Sequence, residues 1–127
     1  MSEVVLDTSA ILAVLQQEQG ADTVLALTDN AIVSAVNAAE VQAKMIRDGV
    51  PPEKALTALQ ICVQLIVAFD ATQAESAATL ILLTKPYGLS LGERACLALG
   101  LARNCPVYTA DRAWAQLQVG VEVRLVR

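Results

Sequence analysis

The sequence predicts an α/β domain with a mainly parallel central sheet and helices on both faces. Three observations predict it. Short aliphatic runs alternate with helical segments along the whole chain, the pattern of layered α/β architecture. The core that such runs can build is aliphatic, because aromatic residues make up only 3% of the chain. Asp7 and Asp111 each end such a run, and open α/β sheets bind ligands outside the carboxyl ends of their strands.

The elements follow in order. Glu3 to Leu6 is a short β-rich run, and Asp7-Thr8-Ser9 then supplies cap-type residues for a helix from Ala10 to Gln17. A second helix is expected from Ala21 to Leu27, after Gly20. Ala31 to Val36 reads as a strand entered from the turn pair Asp29-Asn30. Asn37 can cap a helix that runs to about Asp48 and stops at Gly49. Pro51-Pro52 starts the next helix, with Leu56, Leu59 and Val63 on one face. A strand is expected over Leu65 to Phe69, and Asp70 caps a helix reaching about Leu83. Pro86-Tyr87-Gly88 is a turn, and Ser90 opens a helix from Leu91 to about Arg103, broken at Asn104-Cys105-Pro106. Val107 to Thr109 is a strand, Asp111 to Leu117 a short helix, and Glu122 to Val126 a last strand.

At 127 residues the chain is expected to form one domain, residues 1–127. Hydrophobic residues reach 55%, against roughly 45–50% in ordinary soluble domains, which suggests apolar surface covered by another chain. The longest charge-free run, Ala55 to Phe69, contains Thr57, Gln60 and Gln64 and falls short of the roughly 20 residues that span a bilayer. With no basic start leading into an apolar stretch, the expectation is a cytoplasmic protein with no membrane association. Cys62, Cys96 and Cys105 lack the close pairing of a zinc or disulfide framework.

The chain has no histidine. That excludes a Ser-His-Asp triad, a Cys-His pair, a zincin helix and histidine-based cleavage of RNA. Chemistry is left to carboxylates, hydroxyls, lysine, cysteine or a metal. Net charge is −4, unusual for a nucleic-acid binder. Setting aside Asp7, Glu40, Glu93 and Asp111, however, the remaining acids equal the bases in number.

Those four acids are the candidate site. Carboxylates brought together repel, and a shared hard cation relieves the repulsion. Each also has an ordinary explanation. Asp7 and Asp111 can cap helices, Glu40 can pair with Lys44 one turn on, and Ser90-Leu91-Gly92-Glu93 matches a capping box. Asp70 is assigned to capping. A haloacid dehalogenase-type phosphatase needs a second Asp at position 9, where Ser9 stands.

The segments Asp7–Ala10, Asn37-Ala-Ala-Glu40-Val, Leu89–Arg94 and Val107–Trp114, in that order, resemble PIN-domain proteins, most closely VapC-type toxins of bacterial toxin–antitoxin pairs. The resemblance covers Val4 to Val126. It implies a three-layer α/β/α fold and a Mg²⁺- or Mn²⁺-dependent endoribonuclease. Carried over by position, Asp7, Glu40, Glu93 and Asp111 line the metal site. Thr109 hydrogen-bonds a site carboxylate or bound water, with Ser9 in a similar supporting role. Arg94 and Arg112 are candidate phosphate contacts. The family's third acid is usually Asp, and here it is Glu93, one methylene longer. The resemblance also implies an RNA substrate, a cognate antitoxin and a homodimer. A weakened, protein-binding PIN domain and a structure-specific DNA nuclease are the alternatives.

Overall fold

The structure, a computed structural model, describes residues 2–127. Five strands form one sheet: β1 (Val4–Leu6), β2 (Ala31–Ser34), β3 (Leu65–Val67), β4 (Val107–Thr109) and β5 (Val123–Leu125). Their spatial order is β3-β2-β1-β4-β5 and every pairing is parallel. The helices are α1 (Thr8–Leu15), α2 (Ala21–Leu25), α3 (Ala35–Arg47), α4 (Pro52–Cys62), α5 (Ala71–Thr79), α6 (Ile81–Thr84) and α7 (Leu91–Arg103). Short 3-10 turns lie at Thr28–Asn30, Lys85–Tyr87 and Arg112–Gln116.

Strand alternation sorts the core into two layers. Val4 and Leu6 of β1, with Ala31 and Val33 of β2, pack with Ala10, Ile11, Val24, Ala38, Val41 and Leu59. Val5 and Ile32, one residue out of phase, pack on the other side with Ala77, Leu80, Leu97, Leu99 and Trp114. The first group comes from α1 to α4 and the second from α5 to the last 3-10 turn, which makes the fold a three-layer α/β/α sandwich. Both faces of β1 and β2 are covered, so every residue of these strands is buried and all but Ser34, at the end of β2, are apolar, as buried parallel strands favour.

The chain builds outward from β1 to β3 on one side, then returns to place β4 and β5 on the other. The strand order therefore reverses between β1 and β4, which pair through Val5–Val107 and Leu6–Tyr108. The Asp7 N–H donates to the Tyr108 carbonyl at 3.1 Å, so the ladder holds the backbone right up to the first candidate acid.

Several expectations are corrected. Asn37 does not cap α3. Ser34 does, its hydroxyl accepting from Val36 N at 3.3 Å, so the helix starts earlier and Asn37 is buried inside it. The apolar Ala35-Val36 pair looked like strand because it continues a β-rich run. The inward stripe of α4 is Ala55, Leu59 and Cys62. Leu56 is 38% exposed, and Val63 is buried beyond the helix end. Two small residues concealed the true stripe. The helix capped by Asp70 ends at Thr79, with α6 following after Leu80. Asp70 does cap α5, accepting from Gln73 N at 2.9 Å. The short helix expected from Asp111 to Leu117 is a 3-10 turn over Arg112–Gln116, capped by Asp111.

Candidate active site

A cleft of about 510 Å³ opens at the carboxyl ends of the strands, where the order reverses. Asp7, Glu40, Glu93 and Asp111 all line it, with Thr8, Ser9, Asn37, Lys44, Arg47 and Ser90 among the other walls. Four acids separated by up to 104 positions are thus gathered by β1, α3, α7 and β4.

Asp7 sits deepest, only 5% exposed. It caps α1 through Ala10 N, which donates to Oδ1 at 2.8 Å. The Ser9 hydroxyl donates to the same oxygen at 2.8 Å, and Thr109 Oγ1 donates to Oδ2 at 2.5 Å. Capping does not remove Asp7 from the cleft: both oxygens are fixed, and the residue still lines its wall. Burial raises the Asp7 pKa to about 6. The hydrogen bonds from Thr109, Ala10 N and Ser9 pull against that rise, and the Glu93 charge adds to it.

Thr109 is fully buried. Its oxygen also accepts from Asp111 N at 3.0 Å, so one hydroxyl ties the end of β4 to the Asp7 carboxylate. Ser9 Oγ accepts from Ala110 N at 2.9 Å, a second tie between the two strand ends. Asp111 caps the 3-10 turn through Ala113 N at 3.0 Å and is itself exposed.

Glu40 projects from α3. Its Oε1 accepts from Thr8 Oγ1 at 2.8 Å and from Asn37 Nδ2 at 3.1 Å. The alternative role for Glu40, a pairing with Lys44, is not what the described residues show. Lys44 instead pairs with Asp48 at 2.8 Å. Glu93 completes the capping box, Oε1 accepting from Ser90 N at 3.1 Å, while Oε2 accepts from Trp114 Nε1 at 3.2 Å. The extra methylene that distinguishes Glu from Asp here lets the side chain reach back to the helix start. Beneath the acids, burial and the charges of Asp7, Glu40 and Glu93 push the Cys96 thiol well above its usual range, so that cysteine is inert.

The two candidate phosphate contacts point elsewhere. Arg94 donates to the Ala77 carbonyl at 2.7 Å in the α5–α7 contact, and Arg112 to the Arg127 carbonyl at 2.8 Å. Neither lines the cleft. Among the described residues, the cations that do are Lys44 and Arg47. They follow Glu40 at four and seven residues, on one face of α3. That spacing was readable in the sequence, as was the i, i+3 relation of Asn37 to Glu40.

The donor set suits a hard divalent cation. The oxygen donors that line the cleft are carboxylates and hydroxyls, and no thiol lines it. Among the described residues, however, no three His, Cys, Asp or Glu side chains stand close enough to ligate one ion together. A partly hydrated ion, held by fewer carboxylates directly, fits that spacing.

Comparison with known proteins agrees with this geometry. The family model described as the PIN domain matches residues 4–120. The chain belongs to the PIN-domain family. No curated protein matches the sequence. Solved structures share the fold at low identity. One is a toxin–antitoxin complex from Klebsiella pneumoniae, with 17% identity, TM-score 0.76 and 98% of each chain covered. A second is DNA-bound VapBC from Salmonella typhimurium, with 15% identity, TM-score 0.74 and 100% of each chain covered. A third is VapC20 from Mycobacterium tuberculosis, described as a sarcin-ricin loop cleaving toxin, with 17% identity and TM-score 0.70, covering 94% of this PIN domain and 99% of that chain.

Proposed function

We propose that this PIN domain is a metal-dependent endoribonuclease and the toxin of a type II toxin–antitoxin pair. The observation that carries the reading is the convergence of Asp7, Glu40, Glu93 and Asp111 on one cleft at the strand-order reversal. Those four side chains would hold Mg²⁺ or Mn²⁺ in part through retained waters, since no three of them stand close enough to ligate one ion directly. When bound, such an ion supplies hydroxide near neutral pH and stabilises charge on phosphate and leaving oxygen.

The protein's own contribution is positioning. Thr109, Ser9 and the Ala10 amide lock the Asp7 carboxylate in one orientation. Burial raises the Asp7 pKa to about 6, and a bound cation would favour its ionised form. Lys44 and Arg47 lie along the cleft wall where flanking phosphates of a strand would pass. In-line attack by water at phosphorus leaves a 5′-phosphate and a 3′-hydroxyl, without using the RNA 2′-hydroxyl as nucleophile.

An antitoxin partner is supported by the neighbour described as a toxin–antitoxin complex. Exposed Ile81, Leu82 and Leu83 offer apolar surface to a protein partner or a second copy. No helix among the described residues is long and apolar enough to cross a membrane.

One observation favours a second reading. Both Glu93 oxygens are engaged by protein donors, as expected of a weakened site in a domain that acts mainly by binding protein. Incubation of total RNA with and without EDTA, followed by mapping of the cut ends, separates the two. The nuclease reading expects Mn²⁺-dependent cuts bearing 5′-phosphates that vanish in Asp7→Asn. Cleavage that survives EDTA, or full activity in Asp7→Asn, overturns it.

A further inference from the structure

We infer that Gly92 and Asn37 form a seat that positions the Glu40 carboxylate for metal binding, an inference that rests on the metal-dependent reading above. Neither residue carries a charge, and neither was a candidate ligand.

Glu40 lies on an exposed stretch of α3, where a glutamate ordinarily samples many rotamers. Its carboxylate is nevertheless held against the first turn of α7. A Cβ placed on Gly92 would stand 2.4 Å from both Oε1 and Oε2 of Glu40, and 2.6 Å from its Cδ. Carbon and oxygen cannot approach that closely without bonding, so the carboxylate rests on a surface that only glycine leaves open. Gly92 has no positive φ and occupies a helical position. Its backbone conformation is therefore open to any residue, and the space above it is what demands glycine.

Asn37 supplies the other side of the seat. It is 1% exposed, and Nδ2 donates to the Gly92 carbonyl at 3.0 Å and to Glu40 Oε1 at 3.1 Å. It also approaches Thr8 Oγ1 at 3.2 Å, the hydroxyl that donates to the same Glu40 oxygen. One amide thus links α1, α3 and α7 at the carboxylate. Its own Oδ1 is buried without a hydrogen-bond partner, a cost tolerated at a position where the N–H groups set the location of an acid.

These contacts make an unusual forecast for Gly92→Ala. The atoms in the way are the far end of a flexible side chain, so Glu40 swings out and the backbone stays. Alanine also favours a helix over glycine. A fold-supporting glycine would lose stability on substitution, whereas a seat loses only the carboxylate's position. The expected result is an unfolding midpoint equal to or above wild type, together with Mn²⁺ affinity roughly 10- to 100-fold weaker, the range seen when groups that orient ligands are removed.

The test is calorimetric titration with Mn²⁺ of the full chain as wild type, Gly92→Ala, Glu40→Ala and the double variant, with urea unfolding of each. If Gly92 acts through Glu40, Gly92→Ala weakens Mn²⁺ binding in the wild-type background and has no further effect in the Glu40→Ala background. Asn37→Ala should weaken Mn²⁺ binding in the same dependent way. Equal Mn²⁺ affinity in wild type and Gly92→Ala, or equal weakening in both backgrounds, overturns the seat while leaving the nuclease reading intact. Absence of Mn²⁺ binding in wild type overturns both.

Discussion

Asp7→Asn offers a test that needs no substrate. In the metal-free protein Asp7 is buried and its pKa stands at about 6, against 3.8 when unperturbed. The folded state therefore holds a proton that the unfolded state releases between those values. Stability falls as pH rises through this window, because the unfolded state binds fewer protons. Below about pH 4 both states are protonated and the penalty is absent. Above the folded pKa it is complete. The rise from 3.8 to about 6 corresponds to about 3 kcal/mol. Asparagine does not titrate, so the variant escapes the penalty. It carries a constant offset from rearranged hydrogen bonds with Thr109, Ser9 and Ala10. Urea unfolding in EDTA should show the stability of Asp7→Asn minus that of wild type growing by about 2–3 kcal/mol from roughly pH 4 to pH 7. A difference that stays flat, or shrinks with rising pH, would refute the claim that burial dominates the Asp7 environment.

Two further outcomes are expected. Trp114→Phe removes the indole donor to Glu93 Oε2 and part of a side chain that is 1% exposed. It should cost about 1–3 kcal/mol in thermal unfolding, while freeing a Glu93 oxygen and tightening Mn²⁺ binding by calorimetry. The paired change Lys44→Gln and Arg47→Gln should not weaken Mn²⁺ binding, since it removes positive charge from the cleft, but should flatten the salt dependence of single-stranded RNA binding in EDTA. Each lost phosphate contact lowers the slope of log K against log salt by about 0.7, readable by fluorescence anisotropy.

Much of the architecture was legible because its causes are local. Strands β1 and β4 follow from β-rich runs ended by Asp7 and Asp111, and α7 follows from Ser90 and Glu93, whose capping box forms as the spacing foretells. Where a residue could serve two elements, local reading failed. Ala35 and Val36 continue a strand by composition, but the Ser34 hydroxyl turns them into helix. The buried stripe of α4 is carried by Ala55 and Cys62, whose small side chains give a weak periodic signal. Arg94 and Arg112 neighbour site acids in sequence yet turn to carbonyls on other elements, since adjacent residues on a helix do not share a face.

The sequence by itself determined the strand–helix alternation, the hard-oxygen character of the candidate site and the exclusion of histidine chemistry, since these depend on residue identity and short-range spacing. Tertiary structure alone decided which cations share the cleft, that Asp7 is starved of water, and that Gly92 must lack a side chain. Each of those depends on what approaches from a distant segment: Thr109 reaching Asp7 across 102 positions, and Glu40 of α3 lying on the bare turn of α7. Steric exclusion and desolvation are properties of the assembled surface, and no window of the chain contains both partners.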